Sequence, residues 1–453
     1  MIPARGPVLR LLLLAALLVI AYQIYSVMTG APPPNRISIF EQSSFDNESS
    51  ATTAPIQQLH RLPWYKQSYK AISKAAFDPD HAFTTEHLTT EERRALQERM
   101  VGIAQSMAQE AFGNKYDGRI PGTILDTQDQ VDAMRSLVNC WTRGHWVKSS
   151  SSSSNRTPLL RHFQDPLYGS CDAKFYKTHG KNEQREAVKY TWEPSCPLPM
   201  TTIDPQQWCG GALKGRNLML VGDLAQYQMH EILLDALRDG PVVCYGELNC
   251  KEHTICNEPK ASYLRYFRND VVSIARKVDK QYGHPSMDIV EWPFMANFIL
   301  REYDIFILNR SPVVEDDTNF ARQLTQTLAS LRKSKPRALI IYRSSAIGHP
   351  HCDDADGPLE QPLDDEQQRQ LPYGWSEYDR RNAIARTIVE AAGGLFIDLG
   401  ALANLRPDGH IGGQDCLRYC IPGPLDAWVT ILYNVMLGLE GALPLPEDNN
   451  LIS

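Results

Sequence analysis

From Gly215 onward the chain alternates short apolar runs with longer segments of helical period, and this alternation restricts the fold more than any other feature. It predicts strands at 217–222, 241–246, 288–292, 304–309, 337–343 and 394–398. Helices are predicted near 225–239, 293–302, 318–334, 376–392 and 424–439. Strands interleaved with helices argue for an α/β fold, a mostly parallel sheet with helices on both faces. Sites in such sheets form at the carboxyl ends of the strands. The ends expected here are Gly222-Asp223, Asn309, Arg343 and the segment around Asp415. Of these, Asp223 and Arg343 are candidate cleft residues.

The sharpest of these ends is spelled GRNLMLVGDLAQYQMHEIL, residues 215–233. An apolar run from Asn217 to Val221 leads into the turn Gly222-Asp223, and a helical pattern follows. Many hydrolases mount a nucleophile on such a strand–turn–helix. The residue at that place is Leu224, which offers no lone pair. Asp223 has a plainer role available, since an aspartate before a helix start satisfies orphan amides.

The N-terminus points to the secretory pathway. Residues 8–28 (VLRLLLLAALLVIAYQIYSVM) are almost wholly apolar, with Arg5 and Arg10 at the front and no acid before Glu41. Their length suits one bilayer crossing, which needs about 20 residues. Basic residues on the N-terminal side favour a cytoplasmic tail (1–7) and a luminal remainder. A signal anchor in the Golgi or ER membrane is therefore expected, and a cleaved, secreted chain is the alternative. Residues 29–80, rich in Pro, Ser, Thr and Gln, read as a stem. A helical lead-in (81–135) follows. Its first helix runs to Phe112, has a capping start at Thr89 or Thr90, and carries charges that predict a surface position.

Ten cysteines with no CxxC pair favour an oxidised framework over a thiolate metal site. Sequons at Asn47 and Asn155 fit glycosylation in that compartment, whereas the one at Asn309 is discounted because Pro312 follows it. The formal charge of −7, with scattered basic residues, excludes a nucleic-acid footprint. The serine run from Ser149 to Ser154 reads as a flexible insertion.

Further motifs fall in a recognisable order. They are Cys140, Gly144-His145-Trp146, Pro166-Leu167-Tyr168, Cys171, Tyr190-Thr191-Trp192 and Cys196 with Pro197-Leu198-Pro199. GRNLMLVGDLAQYQ and then DCLRYCIPGPLDAW (415–428) come after them. Over residues 136–440 the chain resembles the PC-esterase family, which includes the trichome birefringence-like polysaccharide O-acetyltransferases. The resemblance implies an SGNH-hydrolase-like domain (215–445) behind a Cys/Trp-rich subdomain (136–214). It also implies that Leu224 stands at the nucleophile serine, Arg418 at the catalytic histidine, and Asn309 at the oxyanion-hole asparagine, while Asp415 is retained. By the same resemblance Cys352 pairs with Cys416, and Cys420 reaches back to Cys171. One local bridge is expected among Cys244, Cys250 and Cys256.

A serine esterase needs a hydroxyl nucleophile, a base, a group that orients the base, and oxyanion donors. Arg418 stays protonated and cannot serve as the base. It is expected to pair with Asp415 three residues away. Tyr227 and His230 lie on the helix past the turn and read as structural; His410 is the better rescue base. Two histidines around Pro350 in GHPHC (348–352) lack enough companions for a metal, and no cofactor is expected. Trp141, Trp146 and Trp192 are expected to pack the Cys-rich segment. The leading expectation is a protein without the serine mechanism that binds a glycan or another polyhydroxylated acceptor, or supports a protein partner. The rival is an active O-acetyltransferase or acetylesterase that uses non-standard residues.

Overall fold

In the computed structural model the strands, in chain order, are β1 (Gly144–Lys148), β2 (Tyr190–Pro194), β3 (Leu218–Gly222), β4 (Asn249–Cys256), β5 (Ser262–Arg268) and β6 (Asp279–Tyr282). They continue with β7 (Asp288–Glu291), β8 (Ile305–Leu308), β9 (Leu339–Arg343), β10 (Leu395–Ile397), β11 (His410–Gly412) and β12 (Asp415–Tyr419). The structure describes residues 85, 87–149, 170–180, 183–237, 249–282, 288–313, 315–371, 374–412 and 415–445. The main sheet has six strands in the order β10-β9-β8-β3-β5-β4. All neighbours pair in parallel except β4, which runs antiparallel to β5 at one edge.

Burial on both faces explains why the strands read as unbroken apolar runs. Alternate residues point to opposite sides. On β3, Leu218 and Leu220 enter one core and Met219 and Val221 the other. Ile305/Ile307 and Phe306/Leu308 on β8 divide the same way, as do Leu339/Ile341 and Ile340/Tyr342 on β9. The first core is closed by helices α2 (Gln128–Trp141), α4 (Leu224–Leu237) and α7 (Leu425–Leu439). The second is closed by α1 (Thr90–Phe112), α5 (Asp317–Ser334) and α6 (Tyr378–Ala391).

Several elements differ from the sequence expectation, each for a physical reason. Thr89 caps α1 in a capping box with Glu92, and the charged first half lies at the surface as expected, but the second half also packs inward. Met100, Ala104, Ala108 and Phe112 recur every four residues and are buried in the second core. Strand β5 was not foreseen, because Arg265 and Arg268 interrupt the apolar pattern of SYLRYFR. The run at 288–292 forms a separate hairpin with β6 instead of joining the main sheet. The helix expected at 293–302 shortens to Asn297–Leu300, after the helix-breaking Pro293. The expected strand at 241–246 lies outside the described residues, as do the anchor 8–28, the stem 29–80, Asn47 and Asn155. Among the described residues no helix is long and apolar enough to cross a membrane.

The Cys- and Trp-bearing segment is part of the first core. Trp146 and Trp192 face each other across β1 and β2, edge to face, with centroids 5.4 Å apart. The indole N–H of Trp141 donates to Leu198, that of Trp146 to Leu402 and that of Trp192 to Trp141, all at backbone carbonyls. A helix α3 (Ser170–His179) is tied to the chain after β12 by the Cys171–Cys420 disulfide. The other described bridges are Cys140–Cys196, Cys209–Cys256 and Cys352–Cys416. Cys256 therefore bonds to Cys209 and not within the cluster that sequence spacing suggested. Cys244 lies outside the described residues. Multiple disulfides suit an oxidising, secretory compartment.

Candidate functional site

The turn after β3 is held from every side. A Cβ on Gly222 would sit 2.9 Å from the Asn309 carbonyl oxygen, so the close approach of β8 demands glycine. The Tyr266 hydroxyl lies 3.1 Å from the Gly222 carbonyl and 2.9 Å from that of Asp223, and donates to this pair. Asp223 Oδ1 accepts from the Gln226 N–H at 2.9 Å, which caps α4. The same oxygen accepts from Arg343 Nη2 at 2.9 Å. Arg343, at the end of β9, is wholly buried. Its Nε donates to Gln226 Oε1 at 2.9 Å, and its guanidinium lies 4.5 Å over the Trp428 ring. Burial lowers the Arg343 pKa and the Asp223 carboxylate opposes that. Asp223 lines a cleft at the strand ends; Arg343 lies beneath it as a brace and is not on its wall.

Leu224 is the first residue of α4, is 5% exposed, and lines the same cleft. Val313, Ile347, Trp375, Leu417 and Tyr419 share that lining. Burying a leucine side chain stabilises by roughly 1.5–3 kcal/mol, so the place is used for packing.

Hairpin β11–β12 closes one side. Gln228, one turn along α4, clamps Tyr419: its Oε1 accepts the Tyr419 N–H at 2.9 Å and its Nε2 donates to the Tyr419 carbonyl. Leu417 and Tyr419 line the cleft, and Arg418 between them does not. Arg418 Nε instead pairs closely with Asp415 Oδ2, and its backbone N–H donates to Asp415 Oδ1 at 3.0 Å. Asp415 is thus committed to a guanidinium.

Asn309 is buried beside the cleft and is not on its wall. Its Nδ2 faces the carbonyls of Arg310, Arg343 and Ser344 at 3.4–3.5 Å, and its Oδ1 has no partner among the described residues. This amide is turned towards the backbone and not towards a developing oxyanion.

Neither rescue histidine reaches the cleft wall. His410 Nδ1 lies 3.2 Å from the Arg418 carbonyl, its Nε2 lies 2.7 Å from His349 Nδ1, and its ring stacks on Tyr419 at 4.2 Å. Burial pushes the His410 pKa well below its ordinary value and that of His349 to about 4. His230 is fully buried among Tyr227, Tyr266 and His253, and neither ring nitrogen has a hydrogen-bond partner among the described residues. Burial takes its pKa to about 3. Among the described residues no group of three or more His, Cys, Asp or Glu could hold a metal ion.

Sequence reasoning missed Arg268 and Asp270, which line the cleft at the end of β5, next to β3. Asp270 Oδ2 accepts from the Val290 N–H at 2.7 Å and from Arg268 Nε at 3.1 Å. Burial raises the Asp270 pKa to about 6, against the pull of Arg268 and the Val290 N–H; the Asp223 carboxylate adds a smaller push upward. The signal was present in RYFRND, but it can be read only once β5 is recognised as a strand, because the strand-end rule then selects it.

No family model matches the chain. A stretch of 65 residues is 32% identical to Protein trichome birefringence-like 25 of Arabidopsis thaliana, covering 10% of this chain and 14% of that protein. The chain therefore has a distant, partial similarity to the trichome birefringence-like proteins, and the match spans about one seventh of that relative's length.

Proposed function

We propose that the chain is an SGNH-like, PC-esterase-related protein that has lost the serine mechanism and binds a glycan or another polyhydroxylated molecule in the cleft. The observation that carries this reading is the buried Leu224 on the turn where a nucleophile would stand. Two further features support it. By the resemblance Asp415 and Arg418 stand at the positions of the orienting group and the base, and the two are paired with each other. His410 is committed to His349 and to the Arg418 carbonyl, and does not line the cleft. Triad members act as a unit, so losing nucleophile and base together removes the mechanism. With the apolar segment 8–28 as an anchor, the protein would work on the luminal side of a Golgi or ER membrane. The test is an esterase and acetyl-transfer assay on the purified full chain beside the double variant Leu224→Ser/Arg418→His. Wild type at the buffer rate supports the proposal, and wild-type turnover above that rate defeats it.

A further inference from the structure

His349 and His410 are buried, and neither lines the cleft. Their ring nitrogens make three contacts in a row. His349 Nε2 lies 2.9 Å from the Asn404 carbonyl oxygen, His349 Nδ1 lies 2.7 Å from His410 Nε2, and His410 Nδ1 lies 3.2 Å from the Arg418 carbonyl oxygen. A carbonyl only accepts, and a neutral imidazole carries one N–H. The three contacts therefore call for three ring protons, and two neutral rings bring two. The longest contact, at Arg418, is the one that goes without. His349 then donates from Nε2 to Asn404, and His410 donates from Nε2 to His349 Nδ1. The joined rings have room for one more proton, on His410 Nδ1. A fourth would set two N–H groups head to head across 2.7 Å, so the rings must part to take it.

We propose that His349 and His410 form an acid-opened clasp between the loop after β9 and the β11–β12 hairpin. Separated rings in water take up two protons and the clasped pair at most one, so acid favours the open form. Burial disfavours charge on both rings in the same direction, and for His410 the His349 ring adds to it. The neighbouring charges do not offset this. Asp408, just before β11, pulls on His349, but Arg406 holds that carboxylate at 2.7 and 2.8 Å. On β12, Asp415 is paired with Arg418, and burial keeps the Tyr419 hydroxyl protonated. His351, Asp353 and Asp354, on the segment after His349, are exposed. The His410 ring stacks on Tyr419 at 4.2 Å, and the Cys420 N–H donates to the Gly409 carbonyl at 2.9 Å, so parting of the rings is felt across the hairpin. The Cys352–Cys416 disulfide joins the same two segments, which keeps the opening local and reversible. Leu417 and Tyr419 line the cleft, and acid thereby loosens that side of it. The clasp stands whether or not the cleft binds a glycan.

The test is hydrogen exchange on the full chain at about pH 7 and about pH 5, on either side of the ordinary histidine value of about 6.5. Protection, corrected for the intrinsic rate, is read at the peptide carrying Tyr419 and Cys420, with β8 as internal reference. The hairpin peptide is expected to lose roughly tenfold or more in protection relative to β8. The double variant His349→Asn/His410→Gln, whose amides take no proton, is expected to hold its protection constant. Nitrogen NMR of the histidine rings in the wild type gives a second reading that needs no variant: with the hairpin protected, the pair carries at most one proton beyond neutrality. Unchanged wild-type protection overturns the proposal, and so does an equal loss in the double variant. Two charged rings with hairpin protection intact overturn it even if the double variant does not fold.

Discussion

Strands β3 and β5 end side by side at the cleft, yet they are finished in opposite ways. At the β3 end Asp223 caps α4 and holds Arg343, Gly222 admits the β8 backbone, and Leu224 packs. At the β5 end a buried carboxylate keeps an under-used oxygen beside a serine hydroxyl with no protein partner among the described residues. Under the proposed function, the first is a reaction site whose groups have been recruited to stability. The second has the features expected of a binding site, polar capacity held at some cost in stability. Chemistry in an open sheet belongs to the row of strand ends and not to one turn, so a nucleophile lost at one strand would leave the neighbouring strand end unaffected.

The comparison can be broken most forcefully at Arg343. Arg343→Ala leaves Asp223 without its buried partner and removes the contact with Trp428. Breaking such a pair costs about 3–5 kcal/mol, which urea unfolding would read. A loss below about 1 kcal/mol, the range of an exposed pair, would mean the β3 end is not the brace described.

Leu224→Ser is the next largest. It should lower stability by roughly 1.5–3 kcal/mol and give no esterase activity, because Arg418 still supplies no base. A variant as stable as wild type would remove the packing role assigned to the leucine.

The smallest effect is a slope. The Asp270 pKa is raised to about 6 in the folded chain, above its ordinary value of about 3.9. The folded state then holds more protons between the two values, so this group's contribution to stability falls as pH rises from about 4 to 6. His230, held near 3, acts in the opposite sense: its contribution is lost as pH falls below about 6.5. Asp270→Asn should remove the first trend and leave the second. Unfolding midpoints measured across that range in both proteins would check it, and parallel curves would contradict the assignment.

Legibility in the sequence followed the same division. The parallel sheet with helices on both faces could be read because β3, β8 and β9 are buried on both sides and so appear as plain apolar runs. The turn and its leucine could be read because glycine, aspartate and a helical pattern stand together in the chain. Strand β5 was hidden because it borders the antiparallel β4, and Arg265 and Arg268 break its apolar run. With it went Arg268 and Asp270, whose partners Val290 and Ser311 come from distant elements. The orientation of Asn309 and the commitment of His410 to His349 were beyond reach for the same reason. Residue type is local, but what a side chain faces is decided by packing.

The central claim, that the nucleophile's turn no longer carries chemistry, is tested most directly by the steady-state rate of acetyl-ester hydrolysis for the purified full chain, Leu224→Ser and Leu224→Ser/Arg418→His. The account predicts wild type and the single variant at the buffer rate, with any measurable rate confined to the double variant. Wild-type turnover above the buffer rate that Leu224→Ser leaves unchanged would contradict it, and His410 would then be the first residue to replace.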